Sequence, residues 1–270
     1  MTISSPIGLI AGNGKFPLLI AKAAREEGKR VVGIAHKGET QPEFEGLVEK
    51  IYWIHLGEFG KLLEALKKEG VCEAILAGAI DKKKMYSKIR PDLKGLMIMA
   101  KLAHRMDDFV LRRVALELEK EGILIRPSTF FIPSLLAPAG VLTRRHPSQE
   151  EEKDIAFGWS LAKELGKLDI GQCLVVRNQA VLAVEAIEGT DETIRRGGLL
   201  GKEKTVIIKV SKPNQDLRFD LPAVGEQTIR TMREVKAGVL AIEARKTLIF
   251  DREATVRLAD KYRMVIVSKP

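Results

Sequence analysis

The residues of this chain best suited to charge chemistry lie in one short segment bracketed by prolines. Lys212, Gln215, Asp216, Arg218 and Asp220 follow one another there. In an extended loop, Asp216, Arg218 and Asp220 would alternate onto one side, bringing two carboxylates towards a guanidinium. Carboxylate oxygens suit Mg²⁺ or Mn²⁺, and Arg or Lys side chains suit phosphate oxygens. The segment therefore predicts a phosphate-handling, metal-assisted site, with a solvated, salt-bridged loop as the alternative.

A second polar segment follows an apolar run and contains Glu188, Thr190, Asp191 and Arg195 around a glycine. Turns that follow strands are common places for ligand contacts. The alternative is local, because Thr190 or Asp191 could cap the helix that comes next. Two such segments in one domain favour a functional site over two unrelated surface loops.

The glycine turn Gly12, Asn13 and Gly14 separates a short apolar run from a helical pattern. This is the context of a phosphate-binding turn, with a tight turn that binds nothing as the alternative. The dinucleotide fingerprint is incomplete, because Pro17 stands where Gly or Ala is needed and His36 lies where an acid is expected. The turn therefore favours a nucleotide or its phosphates over NAD.

The elements that must position these residues alternate between short apolar runs and helical patterns in the first half of the chain. Such alternation predicts parallel strands joined by crossover helices, and hence an α/β fold. The predicted strands are 7–10, 31–35, 51–54, 74–77 and 122–125, and the predicted helices are 16–27, 59–69 and two within 93–121.

The second half is predicted to be a smaller α/β domain. Prolines crowd the region before it, so we expect a first domain over 1–135, a linker over 136–147 and a second domain over 148–270. Ser148 and Glu151 have the spacing of a capping box at a helix start. The predicted strands are 173–176, 181–184, 205–210, 239–242, 247–250 and 264–267, and the predicted helices are 148–165, 226–235 and 252–262.

Charge and composition limit the classes of partner that the protein could bind. The net charge of +9 is spread along the chain and favours anionic partners. The basic residues lack interleaved aromatics, which argues against nucleic acid. Two distant cysteines fit a reducing cytoplasm, and no run approaches the roughly 18 apolar residues of a membrane span, so any membrane contact is expected to be peripheral. The densest basic stretch, 82–90, could touch anionic lipid, although a solvated loop is favoured.

Six motifs of the chain together resemble the UDP-2,3-diacylglucosamine pyrophosphatases of lipid A synthesis, the family unrelated to the calcineurin-like enzymes of the same step. They are GLIAGNGKFP, the Asp107-Asp108 pair, LLAPAGVLT, LDIGQ, VEAIEGTDETIRR and KPNQDLRFDLPAVGEQTI. The resemblance implies a Rossmann-like N-terminal domain, Mg²⁺ or Mn²⁺ dependence, and water attack on the β-phosphorus to give UMP and 2,3-diacylglucosamine 1-phosphate. It also implies a cytoplasmic protein at the inner-membrane surface.

Carried over by motif, Asp216 is the expected essential carboxylate and metal ligand, with Asp220 second and Glu188 and Asp191 as supporting ligands. Phosphate neutralisation is assigned to a group of cations, and nucleotide contacts to the glycine turn with neighbouring polar side chains. The cations are Arg195, Lys212 and Arg218, and the nucleotide contacts are Gly12, Asn13, Gly14, Thr190, Arg195 and Gln215.

Three matters stay open at the level of sequence. A non-catalytic nucleotide-sugar or lipid-binding protein would keep the same cleft without needing a metal. The oligomeric state is undetermined, with a homo-oligomer among the alternatives. The apolar runs 96–99 and 135–138 could contact fatty acyl chains, but contiguous apolar residues are usually buried, so core packing is predicted for both.

Overall fold

The computed structural model describes residues 5–80, 90–100, 107–213 and 215–270, and the chain divides into two compact units. Residues 1–133 and 216–220 form the first unit, and residues 134–215 and 221–270 form the second. The basic residues between 82 and 88, and Asn214 of the KPNQD motif, lie outside the described residues.

The first unit is built on a five-stranded parallel sheet in the order β3-β2-β1-β4-β5. Parallel strands need crossover connections, and helices on the sheet faces explain why β1, β2 and most of β4 are buried along their length. The strands are β1 (Ile7–Ala11), β2 (Val31–His36), β3 (Lys50–Ile54), β4 (Glu73–Ala77) and β5 (Leu124–Ile125).

The helices of this unit pack apolar stripes against the sheet. In α2, the buried side chains of Leu62, Leu63 and Leu66 follow helical spacing and enter the core. The helices are α1 (Phe16–Glu26), α2 (Phe59–Lys68), α3 (Leu93–Ala100) and α4 (Asp107–Lys120), with a 3₁₀ turn at Pro42–Leu47. Pro17 lies in the first turn of α1, where its missing N–H has no intrahelical partner to lose.

The second unit has a mixed six-stranded sheet in the order β6-β13-β11-β9-β7-β8. Strands β13, β11 and β9 run parallel, whereas β7 and β8 form the predicted antiparallel hairpin. The strands of this sheet are β6 (Gly140–Val141), β7 (Cys173–Arg177), β8 (Ala180–Val184), β9 (Val206–Lys209), β11 (Val239–Glu243) and β13 (Val265–Lys269). The helices of the unit are α5 (Gln149–Lys167), α6 (Thr190–Gly201), α7 (Glu226–Glu234) and α8 (Arg252–Lys261).

The two α/β domains with a parallel first sheet confirm the fold class expected from sequence. The capping box is also confirmed, because the Ser148 hydroxyl accepts from Glu151 N–H and the Glu151 carboxylate accepts from Ser148 N–H. Among the described helices, none is long and apolar enough to cross a membrane.

One strand differs from the expectations, and the region expected to be a linker contains secondary structure of its own. The strand predicted at 247–250 is shorter, β12 (Leu248–Ile249), and it pairs outside the main sheet with β10 (Ala223–Val224). The stretch 136–147, expected to be a linker, carries β6 and is tied to the second unit by a hydrogen bond from Ala137 N–H to the Thr247 carbonyl. A 3₁₀ turn, Pro133–Leu135, precedes it.

Candidate functional site

At the carboxyl edge of the first sheet, backbone hydrogen bonds join the residues that follow β1 and β4. Asn13 N–H donates to the Ala79 carbonyl at 2.6 Å, and Ala79 N–H donates back to Asn13 at 3.1 Å. A Cβ on Gly12 would lie 2.5 Å from the Ala79 oxygen, and Gly78 has a φ of +91° against the same turn. Glycine is therefore required at Gly12 by the neighbouring loop, whatever the turn binds.

Gly14 is the member of the glycine turn that faces open space. Its φ is +94°, and no heavy atom lies within 4 Å of the position of a Cβ. It comes just before α1, whose N-cap residue Lys15 makes no side-chain cap. Backbone N–H groups at an uncapped helix start can receive a phosphate, so Gly14 and the start of α1 are the part of this turn suited to an anion.

The segment Asp216–Asp220 forms a turn that belongs to the first unit, whereas the predicted second domain, 148–270, would include it. The extended conformation expected for it is wrong, because the N–H groups of Phe219 and Asp220 both donate to the Asp216 carbonyl. Phe219 is buried in the core of the first unit, and Ser128 N–H donates to the Arg218 carbonyl at 2.6 Å. These contacts hold the turn against its own unit.

Arg218 is the centre of the charge pattern in this turn. Its Nη2 lies 2.8 Å from Asp216 Oδ2, its Nε lies 3.0 Å from Oδ1, and its Nη1 lies 2.6 Å from Glu119 on α4. Burial alone would raise the pKa of Asp216, but hydrogen bonds from Arg218, together with the positive charge of Arg112, hold that pKa below its ordinary value. Asp216 is thus an ionised carboxylate at neutral pH.

Sequence reasoning missed Glu119 and Arg112, which α4 brings beside the turn. The Nε of Arg112 is buried, and no residue in the described ranges accepts a hydrogen bond from it. A buried guanidinium donor without a partner is costly, so the site contains a donor suited to an anion. A hint lay in the sequence, since Arg112 and Glu119 are seven residues apart and so share a helix face.

In the second unit, several predicted site residues make local contacts at the start of α6. The Thr190 hydroxyl donates to the buried Glu185 at 2.7 Å, and Arg196 with backbone N–H groups holds the pKa of Glu188 below its usual range. Arg195 is ion-paired with Glu192 and Glu234 at 2.6 and 2.8 Å. These contacts stabilise the strand-to-helix turn and leave the predicted ligand roles of Glu188, Thr190 and Arg195 as predictions.

Lys212 and Gln215 form a compact turn of their own. Lys212 N–H donates to the Gln215 side chain at 3.1 Å, and Lys212 Nζ lies 2.6 Å from Asp169. Asp191 is half-buried in the first turn of α6. Lys212 follows β9 and Asp191 follows β8, so both lie at the carboxyl edge of the parallel strands, where α/β sheets bind ligands.

A buried charge network at this same edge was missed from the sequence. Glu243 ends β11 and is 2% exposed, and it accepts from Ser211 N–H at 2.9 Å and from the Ser211 hydroxyl at 2.7 Å. Lys163 and Lys246 are ion-paired with it. Burial acts to raise the pKa of Glu243, but these partners lower it to about 2. The sequence signal was a glutamate closing an apolar strand.

An apolar cavity of 170 Å³ lies within the first unit, on one face of its sheet. Its wall includes Ile10, Leu76, Ile98, Leu111 and Val114, drawn from two strands and two helices. His36 and Glu58 contribute polar atoms to this wall.

The polar groups of this cavity wall are satisfied elsewhere. Burial lowers the pKa of His36, so its imidazole is neutral at pH 7, and Glu58 accepts from His55 N–H and Lys61. The cavity is therefore a low-polarity space suited to hydrocarbon.

Whether this site could hold a metal ion depends on the donor atoms that its side chains offer. Within the described residues, no three acidic, histidine or cysteine side chains form a group that could hold an ion. Asp216 and Asp220 share one turn and are hard oxygen donors of the class that suits Mg²⁺ or Mn²⁺. Arg218 uses both oxygens of Asp216, so a metal would share that carboxylate with the guanidinium.

Comparison with known proteins identifies the family. The LpxI N-terminal domain matches residues 6–135, and the LpxI C-terminal domain matches residues 138–267. The chain belongs to the LpxI family. The UDP-2,3-diacylglucosamine pyrophosphatase LpxI of Caulobacter vibrioides is 35% identical to this chain over an alignment of 274 residues, gaps included. The alignment covers 97% of this chain and 96% of that protein. The resemblance noted in the sequence is thereby confirmed for the whole length of this LpxI-family chain.

Solved structures give weaker similarities. A biotin carboxylase domain of a single-chain bacterial carboxylase aligns with a TM-score of 0.30 and 12% identity, over 74% of this chain and 35% of that chain. Phosphoribosylglycinamide synthetase from Anaerococcus prevotii aligns with a TM-score of 0.28 and 13% identity, over 70% and 34%. The LpxI-family chain thus spans about a third of each, and nothing about its function follows from similarities of this size.

We expect Glu243→Gln to change the pH dependence of stability. A carboxylate whose pKa falls from 4.5 to about 2 on folding stabilises the protein above pH 4.5, and that contribution is lost as pH falls through 2. The free energy of unfolding should therefore be lower for Glu243→Gln than for wild type at pH 6, by on the order of 3 kcal/mol, with the gap closing towards pH 2.

Chemical denaturation between pH 7 and pH 2.5 measures this difference. The control is Glu253→Gln, since the Glu253 side chain is 90% exposed and should leave the curve unchanged. Parallel curves for wild type and Glu243→Gln would contradict the assignment.

Proposed function

We propose that this protein hydrolyses the pyrophosphate of UDP-2,3-diacylglucosamine to UMP and 2,3-diacylglucosamine 1-phosphate, with Mg²⁺ or Mn²⁺, in lipid A synthesis. The observation that carries the proposal is the similarity, along almost the whole of both chains, to the Caulobacter enzyme of that name. The turn at Asp216–Asp220 adds chemical support, because it combines the ionised Asp216 carboxylate with the Arg218 guanidinium in the first unit.

The charges around Asp216 limit the role this carboxylate can have. A general base works best with a pKa near the pH of the reaction, and the pKa of Asp216 lies below even the ordinary aspartate value. We therefore assign to Asp216 the binding of a cation or the orientation of the attacking water, and not the removal of its proton. A bound divalent ion would supply neutralisation of the pyrophosphate charge.

Positive groups beside the turn would stabilise the negative charge of the substrate. Arg218 is fixed by Asp216 and Glu119, and Arg112 has an unused buried Nε. Fixed donors cost no reorganisation when charge shifts during the reaction. Gly14 and the uncapped start of α1 are assigned to the phosphates of the nucleotide. Water attack on the β-phosphorus would make UMP the leaving group.

The apolar cavity of the first unit is assigned to one fatty acyl chain of the substrate. Helix α3 contributes Gly95 and Ile98 to its wall, and the same helix exposes Leu93, Leu96 and Met97. The expected burial of residues 96 and 97 is wrong, since these side chains are 51% and 53% exposed. An acyl chain would cover surface of this kind, and each buried methylene contributes about 0.8 kcal/mol.

A substrate with two acyl chains resides in a membrane, so we also propose that the protein works at the cytoplasmic face of the inner membrane as a peripheral protein. The exposed apolar residues of α3 and the net charge of +9 support contact with an anionic lipid surface.

A metal test separates hydrolysis from the alternative, a non-catalytic nucleotide-sugar or lipid-binding protein. UMP release from UDP-2,3-diacylglucosamine is measured with and without EDTA. We expect release to stop in EDTA and to return on addition of Mg²⁺ or Mn²⁺. Binding of substrate without UMP release in either metal would favour the binding protein, and release unaffected by EDTA would remove the metal from the proposal.

Asp216→Asn should lower the rate of UMP release by about 10²-fold or more, because the negative charge is lost while the shape of the side chain is kept. The matched control is Asp92→Asn in the same unit, where the carboxylate accepts from the N–H groups of Lys61 and Gly95. Thermal unfolding of both variants checks the fold. Near-wild-type rates in a folded Asp216→Asn protein would exclude Asp216 from the site.

Val114→Phe should fill the cavity and raise KM by about tenfold for substrates with long acyl chains, and by much less for a short-chain analogue. Leu116→Phe is the control on the same helix, because Leu116 is 48% exposed and does not line the cavity. The expectation rests on the loss of about two buried methylenes at about fourfold in affinity each. Equal effects on both chain lengths would refute the acyl assignment.

A further inference from the structure

A second concave site lies in the second unit, at the amino ends of strands β9, β11 and β13. Its volume is 370 Å³. These strands are neighbours in the sheet, so the turns that lead into them lie side by side. The carboxyl edge, with Glu243, is at the other end of the same strands. The pocket is therefore distinct from the residues assigned to hydrolysis.

Five cations line this pocket, and they face one carboxylate. They are Arg145, Lys204, Arg233, Lys236 and Arg263, with Glu151 as the acid. Glu151 is already used, because it accepts from Arg145 Nη2 at 2.6 Å and from Ser148 N–H at 2.8 Å. Within the described part of the chain, Lys204, Lys236 and Arg263 have no carboxylate within 4.0 Å. The pocket carries a net charge of +4.

One nitrogen of a pocket residue is buried without a partner in the described part of the chain. Among those residues, nothing accepts a hydrogen bond from Arg145 Nη1, although Nη2 of the same guanidinium is fully engaged by Glu151. Buried donors are nearly always satisfied by protein, water or an ion. Arg145 is held in place by its ion pair, so the position of its guanidinium charge beside the pocket is fixed.

The backbone at three of these cations is unusual. Lys204, Lys236 and Arg263 have φ values of +53°, +55° and +55°. In the first unit, the corresponding helix-to-strand turns carry glycines, Gly28, Gly70 and Gly122, which adopt positive φ without strain. In the second unit, the three turns that lead into β9, β11 and β13 carry a long cation, and the turn into β7 carries Asp169, at a conformational cost that glycine would avoid.

Helix dipoles explain only part of this pattern. A cation near a helix C-terminus is favourable, and Lys236 and Arg263 follow α7 and α8. The same benefit is available to cations in the last turn, such as Arg233 and Lys261, without a left-handed backbone. Arg145 precedes α5 and is therefore not at a helix C-terminus, so the helix dipole does not explain why it lines the pocket. Convergence on one anion accounts for all five.

We propose that this pocket binds a phosphate-bearing anion, independently of the hydrolytic site. Arg263 offers a forked donor, Arg145, Lys204 and Lys236 add positive charge, and the Arg233 guanidinium stacks on Tyr262 at 4.2 Å to form one wall. Leu199 and Leu200, 74% and 64% exposed, end α6 just before Lys204. Both a free phosphate and the headgroup of an anionic phospholipid have the required chemistry.

The experiment compares two double variants of the full chain with equal loss of charge. Lys236→Asn with Arg263→Asn removes two pocket cations, and asparagine tolerates the left-handed backbone. Lys202→Asn with Arg245→Asn is the control, since both residues are exposed, also have positive φ and do not line the pocket. Inorganic phosphate is titrated calorimetrically at low salt, and sedimentation measures binding to phosphatidylglycerol-containing and pure phosphatidylcholine vesicles.

We expect the pocket variant to bind inorganic phosphate at least tenfold more weakly than wild type, and the control to stay within twofold. Loss of binding to phosphatidylglycerol vesicles in the pocket variant alone identifies a lipid headgroup. Weaker phosphate binding in the pocket variant, with vesicle binding equal to that of wild type, identifies a soluble phosphate compound. UMP release from detergent-dispersed substrate should be unchanged in both variants, so failure here is distinguishable from failure of the hydrolase proposal.

Two results would overturn the pocket assignment. The first is that phosphate binding is weakened equally in both double variants, which would indicate general charge attraction. The second is that the wild-type protein shows no saturable phosphate binding above that of the pocket variant. Thermal unfolding checks both proteins. Arg233→Gln, on the exposed face of α7, gives an independent test if the double pocket variant is unstable, and it should weaken phosphate binding in the same direction.

Discussion

The backbone contact between Gly12 and Ala79 is the constraint on which the first unit depends. It ties the ends of β1 and β4 together and leaves no space for a side chain at Gly12. The start of α1 and the apolar cavity both adjoin these strand ends, since Ile10 and Ile80 flank the contact and line the cavity. The close approach of the segments that follow β1 and β4 therefore determines where the start of α1 and the apolar cavity lie.

The charged residues at the two carboxyl edges follow a common physical rule. A buried carboxylate is tolerated when opposite charges and hydrogen bonds replace its water. Asp216 has Arg218, and Glu243 has Lys163, Lys246 and Ser211. In both cases the carboxylate stays ionised well below neutral pH. Such groups are suited to holding charge in place and poorly suited to accepting a proton.

Much of the fold was predictable, because apolar runs and helical spacing report local geometry directly. Strands β1 to β4 and the Ser148 capping box follow from such patterns. The turn at Asp216 did not, since its conformation depends on Phe219 entering a core built from residues 10–125, far earlier in the chain. Glu119, Arg112 and Glu243 were missed for the same reason, because their partners are distant in sequence. The exposure of Leu96 and Met97 shows that an apolar run does not by itself predict burial.

The five residues Asp216–Asp220 are flanked in sequence by the second unit and folded into the first. The polypeptide consequently passes from one unit to the other three times, after residues 133, 215 and 220. A gene cut at the boundary between the two family domains would leave the first fragment without Phe219 in its core and without Arg218 opposite Glu119. The two units of this chain are thus not independent modules, and an exchange of its first half with that of a relative must move this pentapeptide with the N-terminal half whose core it completes.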